Sequence, residues 1–144
     1  MEIQVTDLQS EIATEPVKIE AKARKILNAL AFHDCELSVV LMDDDQISSL
    51  NWQYRKQRGP TNVLAFAMRD GEFGEISAGL LGDVIISVQT AQRQAEEAGL
   101  SLDSMISRLL IHGILHLVGF DHEESDVAAR DMDRRSRELL AELD

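Results

Sequence analysis

Three histidines lie close together toward the C-terminus: His112, His116 and His122, in the segment Ile111-His112-Gly113-Ile114-Leu115-His116-Leu117-Val118-Gly119-Phe120-Asp121-His122. Neutral imidazole nitrogens are common zinc ligands, and two of them four residues apart on a helix share one face, about one turn from each other. His112 and His116 have that spacing. Gly119 follows them. A glycine just past a helix adopts the left-handed conformation without strain and turns the chain sharply, which can return His122 to the same ion. Three nitrogen ligands leave the fourth tetrahedral position for water, the arrangement of a catalytic zinc rather than a closed structural one. The residues therefore predict one zinc ion per chain and hydrolysis as its use. Other divalent metals, such as cobalt, nickel or iron, can occupy the same nitrogens.

The spacing H-x3-H-x5-H, with Gly119 three residues before the last histidine, matches the ligand pattern of the metzincin proteases. It departs from that pattern at one position. Those proteases carry a Glu directly after the first histidine as general base, and here the position is Gly113. A general base typically supplies about 10²–10⁴-fold. The ligand half of the pattern survives without its proteolytic half. A lone histidine on an apolar helix is ordinarily a core residue, but three of the chain's four histidines fall in this one segment. His33 stands apart and reads as structural or surface.

The chain has 144 residues, 44% of them hydrophobic, which suits one domain over residues 1–144 with a single core. No apolar run reaches the roughly 18 residues of a membrane span, so no membrane association is expected. The start, Met1 to Asp7, has neither a basic nor an apolar run, so no secretory signal is expected and a cytoplasmic location is the default. Cys35 is the one cysteine, which excludes an internal disulfide, and its apolar surroundings make it a small buried residue rather than a nucleophile. The net charge of −12 argues against nonspecific nucleic-acid binding. Its distribution matters more. Between Asn51 and Arg69 there are four basic residues (Arg55, Lys56, Arg58, Arg69) and no acids, whereas Glu123 to Asp144 holds eight acids and four arginines. The first segment can hold a phosphate backbone while the rest repels loose polyanions; the second reads as a solvated helix face.

Positioning these residues requires a succession of elements. Ile3 to Thr6 alternates as a short strand, and Pro16 opens a helix through Leu30. Leu37 to Met42 is a buried strand. Asp43, Asp44 and Asp45 lack the remainder of a calcium loop and read as the acidic N-terminus of a helix carrying Ile47 and Leu50. Gly59-Pro60-Thr61 breaks the chain before a strand over Val63 to Met68. An acidic, glycine-rich turn spans Asp70 to Gly79, and Leu80 to Ser87 forms a further strand. Helices follow over Gln89 to Ala98, stopped by Gly99, over Leu102 to Val118, and over Val127 to Leu143, with Met132, Leu139, Leu140 and Leu143 inward. About four strands and five helices predict an α+β fold with one mixed sheet and a zincin-like, histidine-bearing helix.

The histidine segment, together with an earlier one, resembles the YbeY family of bacterial endoribonucleases, also called rRNA maturation factors. The family hallmark is close to H-G-x-L-H-L-x-G-[YF]-D-H, and His112 to His122 matches it along its full length. A second signature, L-N-x-x-[YF]-R followed by P-T-[DN]-V-L-[SA]-F, is matched by Leu50-Asn51-Trp52-Gln53-Tyr54-Arg55 and Pro60-Thr61-Asn62-Val63-Leu64-Ala65-Phe66. Gly82-Asp83-Val84-Ile85-Ile86-Ser87 is similar to the family's G-D-I-x-I-S strand. Ala67 stands where the family usually has Pro, a change at a strand end. The resemblance implies a zinc-dependent, single-strand-preferring RNA hydrolase that matures ribosomal RNA, especially the 3′ end of 16S rRNA, and serves ribosome quality control. It implies ribosomal RNA and the ribosome or small-subunit factors as partners.

On this footing each polar residue acquires an expected role. Phosphodiester cleavage builds negative charge, which a cation opposite the metal stabilises. Arg55 is the candidate, because a guanidinium binds phosphate through two parallel hydrogen bonds, and it matches the family's arginine. Lys56 and Arg58 are expected to bind substrate by following its backbone. Arg108 either contacts phosphate or points to solvent. Asp121 either orients a ligand histidine or caps the turn. Trp52 and Tyr54 are read as core packing, with base stacking the alternative. Asp83 reads as a turn or supporting residue. No general base is evident, so either water or the RNA 2′-hydroxyl is the nucleophile. The competing readings are a metalloprotease-like hydrolase, which Gly113 opposes, and a non-catalytic ribosome-associated zinc protein, which an open three-imidazole site opposes.

Overall fold

The computed structural model describes residues 1–68, 79–121 and 123–143. Arg69, nearly all of the acidic turn expected from Asp70 to Gly79, and His122 lie outside the described residues. The elements run β1 (Glu2–Asp7), α1 (Pro16–Ala29), β2 (Glu36–Met42), α2 (Asp44–Arg55), β3 (Val63–Ala67), β4 (Leu80–Ser87), α3 (Val88–Ala98), α4 (Leu102–Leu117) and α5 (Asp126–Leu143). The strands form one mixed sheet in the order β1-β2-β4-β3, so the fold is α+β as its element order implies. β1, β2 and β4 are parallel, and β3 runs antiparallel to β4 at one end.

Period-2 alternation divides the sheet into two faces. Leu37, Val39 and Leu41 of β2 and Val84 and Ile86 of β4 point one way, at 0–2% exposure. They meet Ile19, Ala23, Ile26 and Leu27 of α1, Leu110, Ile114 and Leu115 of α4, and Met132 and Leu139 of α5. Each fully buried Leu or Ile contributes about 1.5–3 kcal/mol, so this face carries most of the fold. The opposite face holds a small cluster of Ile47, Leu64 and Ile85, with Leu50 and Phe66 against it. Among the described residues, α2 is the helix that supplies side chains to this cluster.

The helix boundaries follow local chemistry. Pro16 stands in the first turn of α1. The Asp43 carboxylate accepts the Gln46 backbone N–H at 2.8 Å, while the Gln46 side-chain oxygen accepts the Asp43 N–H at 3.0 Å, a reciprocal capping box. The triple Asp is therefore a helix start. Ser87 and Ser101 cap α3 and α4, and Gly99 ends α3 with φ of 70°. Cys35 is buried, and burial pushes its thiol pKa up. His33 is on the surface, within 3.2 Å of the Asn28 side chain. Among the described residues no single helix is long and apolar enough to cross a membrane; α4 is apolar because it is the central core helix.

Candidate functional site

α4 is buried along most of its length, and His112 and His116 emerge half-buried near its C-terminal end. Their ring centroids are 4.7 Å apart with an interplanar angle of 70°, an edge-on pair one turn apart. What presses this part of α4 onto the sheet is Gly113. A Cβ at that position would meet Val84 Cγ1 at 2.7 Å and Val63 Cγ2 at 3.4 Å. The residue after the first histidine thus faces packed valines, not solvent. This is the physical reason the protease-type glutamate has no counterpart: a carboxylate there would be driven into the sheet.

The helix ends as its glycine predicts. Gly119 has φ of 107°, and the N–H groups of Gly119 and Phe120 return to the carbonyls of His116 and Leu115 at 3.1 and 3.0 Å. The chain then bends back along the histidine face. Asp121 accepts the Glu123 backbone N–H at 2.9 Å, so the structure assigns it to the turn.

A cleft of about 550 Å³ opens here. Its walls are His112, Gly113 and His116 of α4, Phe120, Asp121 and Glu123 of the following turn, the whole of β3 from Val63 to Ala67, and Arg55. β3 is the last strand of the sheet, and adjacent β3 residues point to opposite faces: Val63 belongs with the main core, Leu64 with the α2 cluster. The cleft therefore wraps a sheet edge. The histidines reach it from one face and Arg55 from the other.

Arg55 is the last residue of α2, and polar contacts hold that helix in place. The Asp44 carboxylate accepts from Ser87 Oγ and Thr90 Oγ1, both at 2.6 Å, and from Arg93 at 2.8 Å. Burial of Asp44 opposes its ionisation, but these donors and the Arg93 charge outweigh it and hold its pKa below the usual carboxylate value. At the other end, Asn51 is buried and donates to the Gly59 carbonyl at 3.0 Å, tying the helix to the loop that leads into β3. Tyr54 lies against Phe66 with centroids 5.1 Å apart.

The structure thus brings Arg55, His112 and His116 into one cleft, while His122 lies outside the described residues. Among the described residues no group of three metal-ligating side chains is assembled. Lys56 and Arg58 stand outside the cleft lining, exposed beyond the end of α2. Arg108 is exposed and also outside the lining. Asp83 faces a separate groove with Glu2, Glu36 and Ser38. Two expectations need correction. Trp52 and Tyr54 are 49% and 60% exposed rather than core residues, because Ile47 and Asn51 take the inward face of α2. Glu123 belongs to the cleft and not to a solvated helix face, since α5 begins only at Asp126. Its position directly after His122 in the sequence was the available signal.

Comparison with known proteins gives the family. The family model described as "Endoribonuclease YbeY" matches residues 4–144. A protein of that name from Geobacter metallireducens is 44% identical, covering 100% of this chain and 97% of its own. Its namesake from Aquifex aeolicus is 50% identical over 74% of this chain and 69% of its own. The solution structure of TM1509 from Thermotoga maritima superposes with a TM-score of 0.68 at 25% identity, over 98% of this chain and 88% of that one. With a family match over residues 4–144 and a relative 44% identical along the chain, the chain belongs to the endoribonuclease YbeY family.

Proposed function

We propose that this protein is a zinc-dependent, single-strand-preferring endoribonuclease that matures ribosomal RNA, including the 3′ end of 16S rRNA, and takes part in ribosome quality control in the cytoplasm. The observation that carries the reading is the meeting of Arg55 with His112 and His116 across the edge of β3. The relatives named as endoribonucleases add the reaction class.

The donor set suits a divalent ion of the zinc class. Two imidazoles one turn apart, 4.7 Å between centroids, stand on a helix buried on its other sides. His122, six residues past His116, is the third expected ligand. When bound, zinc supplies Lewis acidity to the phosphodiester and lowers the pKa of water toward neutrality. The chain's own residues do the rest. Arg55 grips a phosphate by its planar fork and offsets charge that develops during cleavage. Glu123, which lines the same cleft, is the carboxylate we assign to receive a proton from the attacking hydroxyl. Asp121 keeps the turn that carries Glu123 in place. The ribosome or a small-subunit factor is the expected partner, since a chain of net charge −12 gains little from general attraction to RNA.

Elemental analysis combined with RNA cleavage tests the reading. Wild-type protein is expected to carry about one metal ion per chain, and His116→Ala to lose metal and cleavage together. Full activity in metal-free wild type would refute the metal assignment. Among the described residues no strand pairs with the outer edge of β3, an edge that suits an extended peptide, which favours the protease-like alternative; a mixed-peptide assay with no turnover removes it.

A further inference from the structure

Trp52 is the chain's only tryptophan, and it is left about half exposed at 49%. It does not stand alone. Lys56 Nζ lies 5.6 Å from its ring centroid, and Arg58 Cζ lies 5.7 Å away. Among the described residues neither cation forms an ion pair, and no acidic residue occurs in the sequence from Gln46 to Met68. On a chain of net charge −12, this is a local reversal of sign around an exposed aromatic ring.

The backbone supplies an independent sign. Lys56 ends α2 in the left-handed conformation, with φ of 55° and ψ of 33°. Glycine adopts that conformation without strain, and a side chain there is held against a steric penalty. A residue kept at a strained position for its side chain is a reason to look for function. Here the side chain is a cation beside Trp52. Arg55, three residues after Trp52 and so about one helical turn away, lines the cleft.

We propose that Trp52, flanked by Lys56 and Arg58, is a stacking platform for an unpaired base of single-stranded RNA next to the cleft, a proposal that rests on the endoribonuclease reading above. The ring takes the face of the base, and the two long cationic side chains move to the flanking phosphates. Every base has such a face, so the platform selects unpaired over paired RNA without selecting sequence. A protein partner is the less favoured occupant, because two cations beside an exposed ring match a phosphate backbone bearing bases more closely than a mixed protein surface.

Because Trp52 is the sole tryptophan, the emission of the full-length protein reports this site directly. Three probes are compared: a short oligoadenylate, an abasic oligomer of equal length, and polyglutamate. Oligoadenylate is expected to quench the emission, and the two base-free polyanions are not. Trp52→Ala is expected to raise the KM for single-stranded RNA roughly 5- to 150-fold, the range for one base–aromatic stack, with Trp52→Phe recovering most of the loss. Lys56→Gly separates binding from folding. It is expected to melt at or above the wild-type temperature while the plot of log affinity against log salt becomes shallower by about 0.7, one lost phosphate contact. Equal quenching by all three probes, or wild-type KM in Trp52→Ala, overturns the platform and leaves the nuclease reading intact. A wild-type protein that neither binds nor cleaves oligoadenylate overturns both.

Discussion

α4 and α2 meet at the same cleft, yet they are held by different forces. α4 lies in the main core, with Leu110, Ile114 and Leu115 all at 0% exposure, and Gly113 lets its backbone close on Val84. α2 covers a small apolar cluster and is tethered at its ends by polar groups: the Asp43–Gln46 box, the Asp44 network and Asn51. Close packing positions a group tightly because interiors have little room to relax. Polar tethers fix an orientation at less burial. Two of the metal-ligand candidates, His112 and His116, thus sit on the packed helix, and the phosphate-binding candidate on the tethered one.

This contrast breaks if α4 tolerates bulk at the sheet contact. Gly113→Glu is expected to destabilise the protein by about 3–5 kcal/mol, because it drives an uncompensated carboxylate against Val84 and Val63. Urea denaturation measures it, and a variant as stable as wild type would mean that the helix is not pinned there. Arg55→Ala probes the tethered side. Cleavage is expected to fall about 10²–10³-fold, as when one group stabilising transition-state charge is removed. Stability should stay within about 0.5 kcal/mol, because the side chain is exposed.

Asp44→Ala tests the tether. A loss of about 1–3 kcal/mol is expected from leaving the buried Ser87 and Thr90 hydroxyls without their acceptor. The pH dependence has a definite sign. The folded-state pKa of Asp44 is lowered, so its contribution is present above the unfolded value of about 3.9 and is lost as pH falls through the folded value. The stability gap between wild type and Asp44→Ala should therefore narrow below about pH 4; a gap independent of pH would assign the loss to packing. The smallest effects come from the caps. Asp43→Ala and Ser101→Ala should each cost about 1 kcal/mol. Only Asp43→Ala should also lower kcat/KM, because Arg55 rides on the helix it caps, and equal kinetic losses in both would erase the distinction.

The order of elements was legible along the chain because each carries a local signal. The strand over Leu80 to Ser87 has the limits its apolar run implied, and Pro16, Asp43 and Gly99 mark helix ends by their own backbone chemistry. The spacing of His112 and His116 implied a shared helix face, and the two rings do lie together. Trp52 and Tyr54 were misread because apolar character alone does not say which side of a short helix is covered. That depends on how wide a face the sheet offers, and on this side it offers only the Ile47–Leu64–Ile85 cluster.

The sequence by itself determined which side chains are candidates: imidazoles at helical spacing, a glycine where a protease would hold its base, and an arginine in an acid-free stretch. Those are properties of residue type and short-range geometry. Only the tertiary structure decided that Arg55, His112 and His116 share one cleft, that Glu123 joins them, and that Gly113 is small because Val84 lies against it. Arg55 and His112 are far apart along the chain, on helices covering opposite faces of the sheet. What joins them is the strand order that leaves β3 at the edge, a consequence of which strands pair and not of any local signal.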